Sequence, residues 1–228
     1  MNDTLVDRIY EAAFVPEFWP SVLGEIADRA NAASGELQIV VNGEAPRWKA
    51  TEVTHETLST FMASGLWRSC ERPGRYLQAD HAGFLCDVDI MTHEQFERDP
   101  VRHLFSSVGL GWQLGTVIPM TTGEIIGLTF ERWIERGKPS AKDCAVLDAL
   151  RPHLARSALV AARLRLERAE AAVSALDAMG VPAAVISGSG CVLTANRFFD
   201  AMGHIFVLSR LVVSPSPTAA RTGSFRTR

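Results

Sequence analysis

The sequence predicts an α/β fold of the α+β kind: an antiparallel sheet flanked by helices, with a long C-terminal connector helix. Three observations carry that prediction. Residues 113–119 and 124–133 are apolar runs separated by Thr121-Thr122-Gly123, the pattern of an antiparallel hairpin. The helical spacings elsewhere do not alternate regularly with buried strands, which argues against a doubly wound parallel sheet and for an α/β sandwich with a small cavity between sheet and helices. Residues 141–179 form a glycine-free stretch rich in Ala, Leu and Arg, bounded by Gly137-Lys138-Pro139 and Gly180-Val181-Pro182.

Each element follows from local pattern. Leu5, Ile9, Ala12 and Ala13 recur at helical spacing, and the pattern resumes as Trp19, Val22, Leu23, Ile26 and Ala30. Pro16 and Pro20 fall between the two, so one helix ends and a second starts with Pro20 in its first turn. Residues 36–41 then read as a strand, closed by the turn pair Asn42-Gly43. Leu58, Phe61 and Met62 lie on one side of a helix over 55–66. From Trp67 to Leu85 the periodicity fails, and aromatic and basic residues mix with turn formers. Such a loop either forms the lid of a ligand cavity or closes the core beneath an irregular connection. Thr92 and Gln95 have capping-box spacing for a helix over 93–98, and Pro100 opens another running to Val108. Ser140 is placed to cap the long helix, with Asp143 in its first turn. Pro152 removes a hydrogen bond to the Asp148 carbonyl and is expected to bend that helix.

The totals narrow the class. The chain has 228 residues, 47% of them hydrophobic and 21% charged, with a net charge of −3, which gives no compositional reason for a nucleic-acid partner. Cys70, Cys86, Cys144 and Cys191 form no CxxC pair and read as buried thiols in a reducing compartment. The sequence has neither a charged leader followed by an apolar run nor an apolar stretch near twenty residues, so a cytoplasmic location without membrane insertion is expected. Beyond Ala201 four arginines and no acidic residue remain, and the Ala, Leu, Glu and Arg richness of the body stops. That shift is read as a truncated or frame-shifted end, with 205–213 able to complete a small sheet and 214–228 disordered.

Two resemblances follow from these residues. The strand over 181–186, the turn Ser187-Gly188-Ser189-Gly190, the strand over 191–194 and the capping Asn196 resemble the opening of PAS sensory modules. Four motifs together resemble the N-terminal part of LuxR-type helix-turn-helix regulators: residues 5–13 (LVDRIYEAA) with Trp19-Pro20, His81-Ala82-Gly83-Phe84, Gly109-Leu110-Gly111-Trp112, and residues 150–156 (LRPHLAR). The second resemblance implies a GAF- or PAS-like sensory region over 1–140. A connector and dimerisation helix over 141–179 packs on it, followed by a partial PAS-like segment over 180–213 and a tail over 214–228. In that group a DNA-reading helix-turn-helix follows. Nothing after Asp200 shows a second amphipathic helix pair, so direct nucleic-acid binding is not expected of this chain.

The expected function is small-molecule sensing and homodimerisation, with an effector of unspecified chemistry and no cofactor. The alternative is an interaction module that recognises no small molecule. The candidate ligand wall is Trp67, Tyr76, Phe84, Trp112 and Phe130, with Arg75, His81 or Thr129 orienting a polar group, because apolar rings supply burial and a few polar groups supply orientation. Thr129 and Phe130 are adjacent on a strand, so only one of them faces any one side. Leu147, Leu150, Leu154, Leu166 and Val173 are the candidate dimerisation residues, with packing back onto the sheet as the alternative. A metal site from Cys86, Asp87, Asp89 and His93, or a dyad of Cys70 or Cys86 with His81 or His103, is less consistent with the pattern: acidic residues before a helix more often cap it, and no nucleophile motif is present. No catalytic or metal role is assigned.

Overall fold

The computed structural model describes residues 3–41, 44–120, 123–186 and 192–202. Its contacts gather into two compact units, one ending at Arg165 and the other beginning at Leu166, so the division falls inside the long helix and not at its start.

In the first unit, helices α1 (Asp3–Phe14) and α2 (Trp19–Arg29) are joined by a 3-10 turn over Pro16–Phe18. Pro20 sits in the first turn of α2, where its missing N–H breaks no intrahelical bond. Five strands follow in sheet order β2-β1-β5-β4-β3, each antiparallel to its neighbours: β1 (Ser34–Val40), β2 (Arg47–Ala50), β3 (Leu85–Cys86), β4 (Leu110–Pro119) and β5 (Ile125–Trp133). The β4/β5 hairpin lies where the two apolar runs placed it. Strands β2 and β3 were not legible, because four and two residues are too few to display an alternation. Asn42-Gly43 and Thr121-Thr122, the expected turns, lie outside the described residues.

The short helices α3 (Glu52–Ser64), α4 (Arg72–Gln78), α5 (Asp87–Ile90), α6 (His93–Arg98) and α7 (Pro100–Ser106) form the connections. Helix α4 corrects the expectation of an irregular segment over 67–85. Pro73 and Gly74 read as breakers, yet Pro73 occupies the first turn, where proline is tolerated. The Thr92 box is formed as its spacing predicts: the Thr92 hydroxyl accepts from the Gln95 N–H at 3.3 Å, and the Gln95 side chain accepts from the Thr92 N–H at 2.9 Å.

Strand alternation gives the sheet two chemically different faces. One carries Leu37, Leu114, Ile118, Ile126, Leu128 and Phe130. These pack with Leu5, Ile9, Leu23 and Ile26 of α1 and α2 and with Leu147, Leu150 and Leu154 of α8 (Ala141–Ala178). Burying each such side chain stabilises the unit by roughly 1.5–3 kcal/mol. The other face carries Glu36, Gln38, Gln113, Gly115, Thr129 and Glu131 and meets α3, α4 and α7.

Helix α8 starts as expected, with the Ser140 N–H donating to the Asp143 carboxylate at 2.8 Å, and it continues through Pro152 without a break in the helical assignment. Its stripe Leu147, Leu150 and Leu154 is consumed by the core of its own chain. For these three residues the structure shows the packing that had been the alternative to dimerisation. Leu166 is partly buried and Val173 buried.

The second unit holds the end of α8, the antiparallel pair β6 (Ala184–Ile186) and β7 (Val192–Ala195), and α9 (Arg197–Ala201). Asn196 ties it together: its side-chain oxygen accepts from the Phe199 and Ala183 N–H groups, both at 3.0 Å, and its amide donates to the Val181 carbonyl at 2.8 Å. The turn 187–190, Cys191, the expected strand over 205–213 and the tail over 214–228 lie outside the described residues.

Candidate functional site

The polar face of the sheet is laid out in rows set by register. Glu36 of β1 stands opposite Thr129 of β5, which stands opposite Gly115 of β4. Two residues along, Ser34, Glu131 and Gln113 form the next row. Strands lie about 4.8 Å apart, so each row crosses three strands in roughly 10 Å. Gly115 leaves the space that Tyr76 of α4 fills: a Cβ there would come within 2.4 Å of the phenol oxygen, so only glycine admits the ring. The first row therefore reads Glu36, Thr129 and the Tyr76 hydroxyl.

Over these rows lies a cavity of about 50 Å³. Glu36, Gln38, Gln113 and Thr129 line it from the sheet, Leu58 and Phe61 from α3, Arg72 and Tyr76 from α4, and Val101 and Phe105 from α7. Its polar end is a continuous network. The Arg72 guanidinium donates through Nε to Asp99 at 2.6 Å and through Nη1 to the Gln113 side-chain oxygen at 2.7 Å, and the Gln113 amide donates to Glu131 at 2.6 Å. Asp87 stands 3.8 Å from the same guanidinium. The Thr129 hydroxyl donates to Glu36 Oε2 at 3.0 Å.

One guanidinium thus faces the carboxyls of Asp87, Asp99, Glu131 and Glu36, and the imbalance shows in their acidities. Burial pushes Glu36, 1% exposed, up to about 7 against the pull of Thr129, Thr54, Gln38 and Arg72. Burial and then the neighbouring Glu36 raise Glu131 well above the ordinary carboxylate range. Burial would lower Arg72, but Asp99, Asp87 and Glu131 together hold it above its usual value. Two polar atoms in the cavity wall lack a hydrogen-bond partner, Glu36 Oε1 and the Tyr76 hydroxyl, the latter on a residue 6% exposed. Unpartnered buried polar atoms cost stability, about 1–3 kcal/mol each; others, on Ser34, Thr54, Arg102, Trp112 and Arg132, lie off this cavity wall.

Of the residues singled out from sequence, the structure brings Tyr76 and Thr129 together on this wall. Phe84 and Phe130 pack against each other on the opposite face, 5.8 Å between ring centroids, and Trp112 packs against that same apolar cluster while stacking on Phe96. Alternation settles the conflict between neighbours: Thr129 faces the cavity and Phe130 the core. Trp67 packs beside Phe61, Val101 and Phe105 without lining the cavity. Arg75 pairs with Glu71 at 2.6 Å in an outer cleft of about 300 Å³, whose wall shares Cys70 and Arg72 with the inner cavity. His81 is exposed. Cys86, Asp87 and Asp89 serve local structure, the thiol donating to Asp87 at 3.2 Å and Asp89 accepting from the Cys86 N–H at 3.2 Å.

The residues that sequence reasoning missed are Glu36, Arg72, Asp99, Gln113 and Glu131. Charged residues in strands and short helices are read as solvated by default, because they are rarely buried unless paired. The sequence carries no distinguishing signal for them, because a charged residue alternating with apolar neighbours is also the pattern of a solvent-facing strand position.

The architecture is of a definite class: an antiparallel sheet with a long helix packed on one face and a partly open, mostly apolar cavity with a polar end beneath helices on the other. Among solved structures it is similar to the LBD domain of VqsR from Pseudomonas aeruginosa, with a TM-score of 0.56 and 16% identity over 71% of this chain and 96% of that one. At that identity the likeness is one of fold. Two more distant similarities are to CepR2 of Burkholderia cenocepacia, an N-acylhomoserine lactone dependent LuxR family transcription factor (TM-score 0.49, 13% identity, 71% of this chain and 96% of that one), and to Escherichia coli SdiA (TM-score 0.44, 17% identity, 62% and 60%). No protein-family model matches the chain, and no curated protein matches it either.

Proposed function

We propose that the first unit is a small-molecule-sensing domain of a LuxR-type transcriptional regulator, and that the cavity over Glu36, Thr129 and Tyr76 is its effector site. The observation that carries this reading is the pair of buried, unpartnered polar atoms on the wall of one cavity. A fold shared with an LBD domain supports it.

A route for the signal lies on the page. Val117 lines the cavity, and Arg151 of α8 donates to the Val117 carbonyl at 3.2 Å and to the Thr116 hydroxyl at 2.9 Å from the far side of the sheet. An occupant that shifts β4 shifts the anchor of α8 with it. Binding then selects between arrangements of the helix to the extent that its affinity for them differs.

The test is native mass spectrometry of freshly purified protein together with thermal unfolding against a library of small metabolites. A retained or added compound that raises the melting temperature in the wild type but not in Val101→Phe, which narrows the cavity from the α7 side, supports the reading. Absence of any such compound counts against it, and the interaction module becomes the better description.

A further inference from the structure

The cavity has a polar end and an apolar end, and the chemistry of the polar end specifies the head group of what enters. This step rests on reading the cavity as a ligand site. Three oxygens border the polar end: Glu36 Oε1 and the Tyr76 hydroxyl, neither making a well-formed hydrogen bond although Thr54 and Gln38 stand near the Glu36 carboxyl, and the Thr129 hydroxyl, whose proton is committed to Glu36 Oε2. The nearby cation makes no hydrogen bond to them, since the Arg72 N–H groups are engaged by Asp99 and Gln113, with Asp87 close by. Glu131 beside it adds a further carboxyl. The remaining wall is aliphatic and aromatic: Val40 and Ile125 from the sheet, with Leu58, Phe61, Val101 and Phe105 from the helices.

We propose that this site takes a small primary amine, a short apolar chain ending in an ammonium group whose three N–H donors go to Glu36, Thr129 and Tyr76. An ammonium has three donors and no acceptor, matching three oxygens that can accept. Its charge pairs with the Glu36 carboxylate once that group ionises. The volume of about 50 Å³ limits the guest to a few heavy atoms unless the helices part. The outer cleft, which meets the cavity at Cys70 and Arg72, is the approach path.

The experiment uses three probes of matched size that differ only in the head: n-propylamine, n-propanol and propionate, titrated into the full chain and followed by NMR shifts of cavity residues. The amine is expected to bind at least tenfold more tightly than the alcohol, and propionate not measurably. Because the cation requires Glu36 as carboxylate, amine affinity should rise by up to tenfold per pH unit between pH 5 and 7, while alcohol affinity stays level. Glu36→Gln should abolish both the preference and the pH dependence, and Tyr76→Phe, which keeps the ring over Gly115, should weaken the amine several-fold. Equal or tighter binding of the alcohol or the acid overturns the amine assignment and leaves the cavity as a ligand site. Failure of all three probes, with native mass spectrometry finding nothing retained, overturns both.

Discussion

Glu36 stores the clearest consequence of burial at a single residue. Its carboxyl titrates near 7 in the folded chain against an ordinary value of 4.5, so between those two pH values the folded state holds a proton that the unfolded state has lost. Stability must therefore fall as pH rises from 4.5 to 7 and level off above, by an amount on the order of 3 kcal/mol for this group. Glu131, also raised, adds to the slope in the same sense. Chemical denaturation at pH 5 and pH 8 measures it, and Glu36→Gln should flatten the Glu36 share of the difference. Arg72 behaves oppositely to mutation: Arg72→Met leaves Asp99 and Asp87 buried without their cation and is expected to cost about 3–5 kcal/mol. A loss under 1 kcal/mol in urea unfolding would show that the network is not holding α4 to the sheet.

At the scale of elements, α8 is a core helix over its first half. Leu154 is fully buried against the sheet, so Leu154→Ala should lower stability by about 3 kcal/mol and leave the sedimentation coefficient of the folded protein unchanged. A shift from dimer to monomer with stability intact would instead place Leu154 at a subunit contact. The short helices depend more on their ends. The Thr92 side chain and its Gln95 partner satisfy two N–H groups at the start of α6, and Thr92→Ala should cost about 1 kcal/mol, read from hydrogen exchange in that helix. In the second unit Asn196 makes three hydrogen bonds that link the approach to β6 with α9, a role its capping position foreshadowed.

For the molecule as a whole, the two faces of one sheet divide the labour. The apolar face fixes α1, α2 and α8 by burial, which is non-directional and tolerant of exchange among similar side chains. The polar face carries a network in which each group depends on its neighbours. An effector that binds only the folded state at a hundred times its dissociation constant would stabilise it by about 2.7 kcal/mol. Among the described residues no helix is long and apolar enough to cross a membrane.

The sequence by itself determined the periodic elements: the first two helices, the hairpin, the Thr92 cap, the long helix and the Asn196 turn. Each is encoded within a dozen neighbouring residues, by spacing or by a capping side chain. It also named Tyr76 and Thr129, though beside aromatics that turned out to belong to the core. Only the tertiary structure decided which face Phe130, Phe84 and Trp112 occupy, that Leu147, Leu150 and Leu154 pack inward, and that Glu36, Arg72, Asp99, Gln113 and Glu131 form one network. Those outcomes follow from strand register and from which helix lies over which row. The network's hydrogen bonds join residues 18 to 93 positions apart, a separation at which local pattern carries no information.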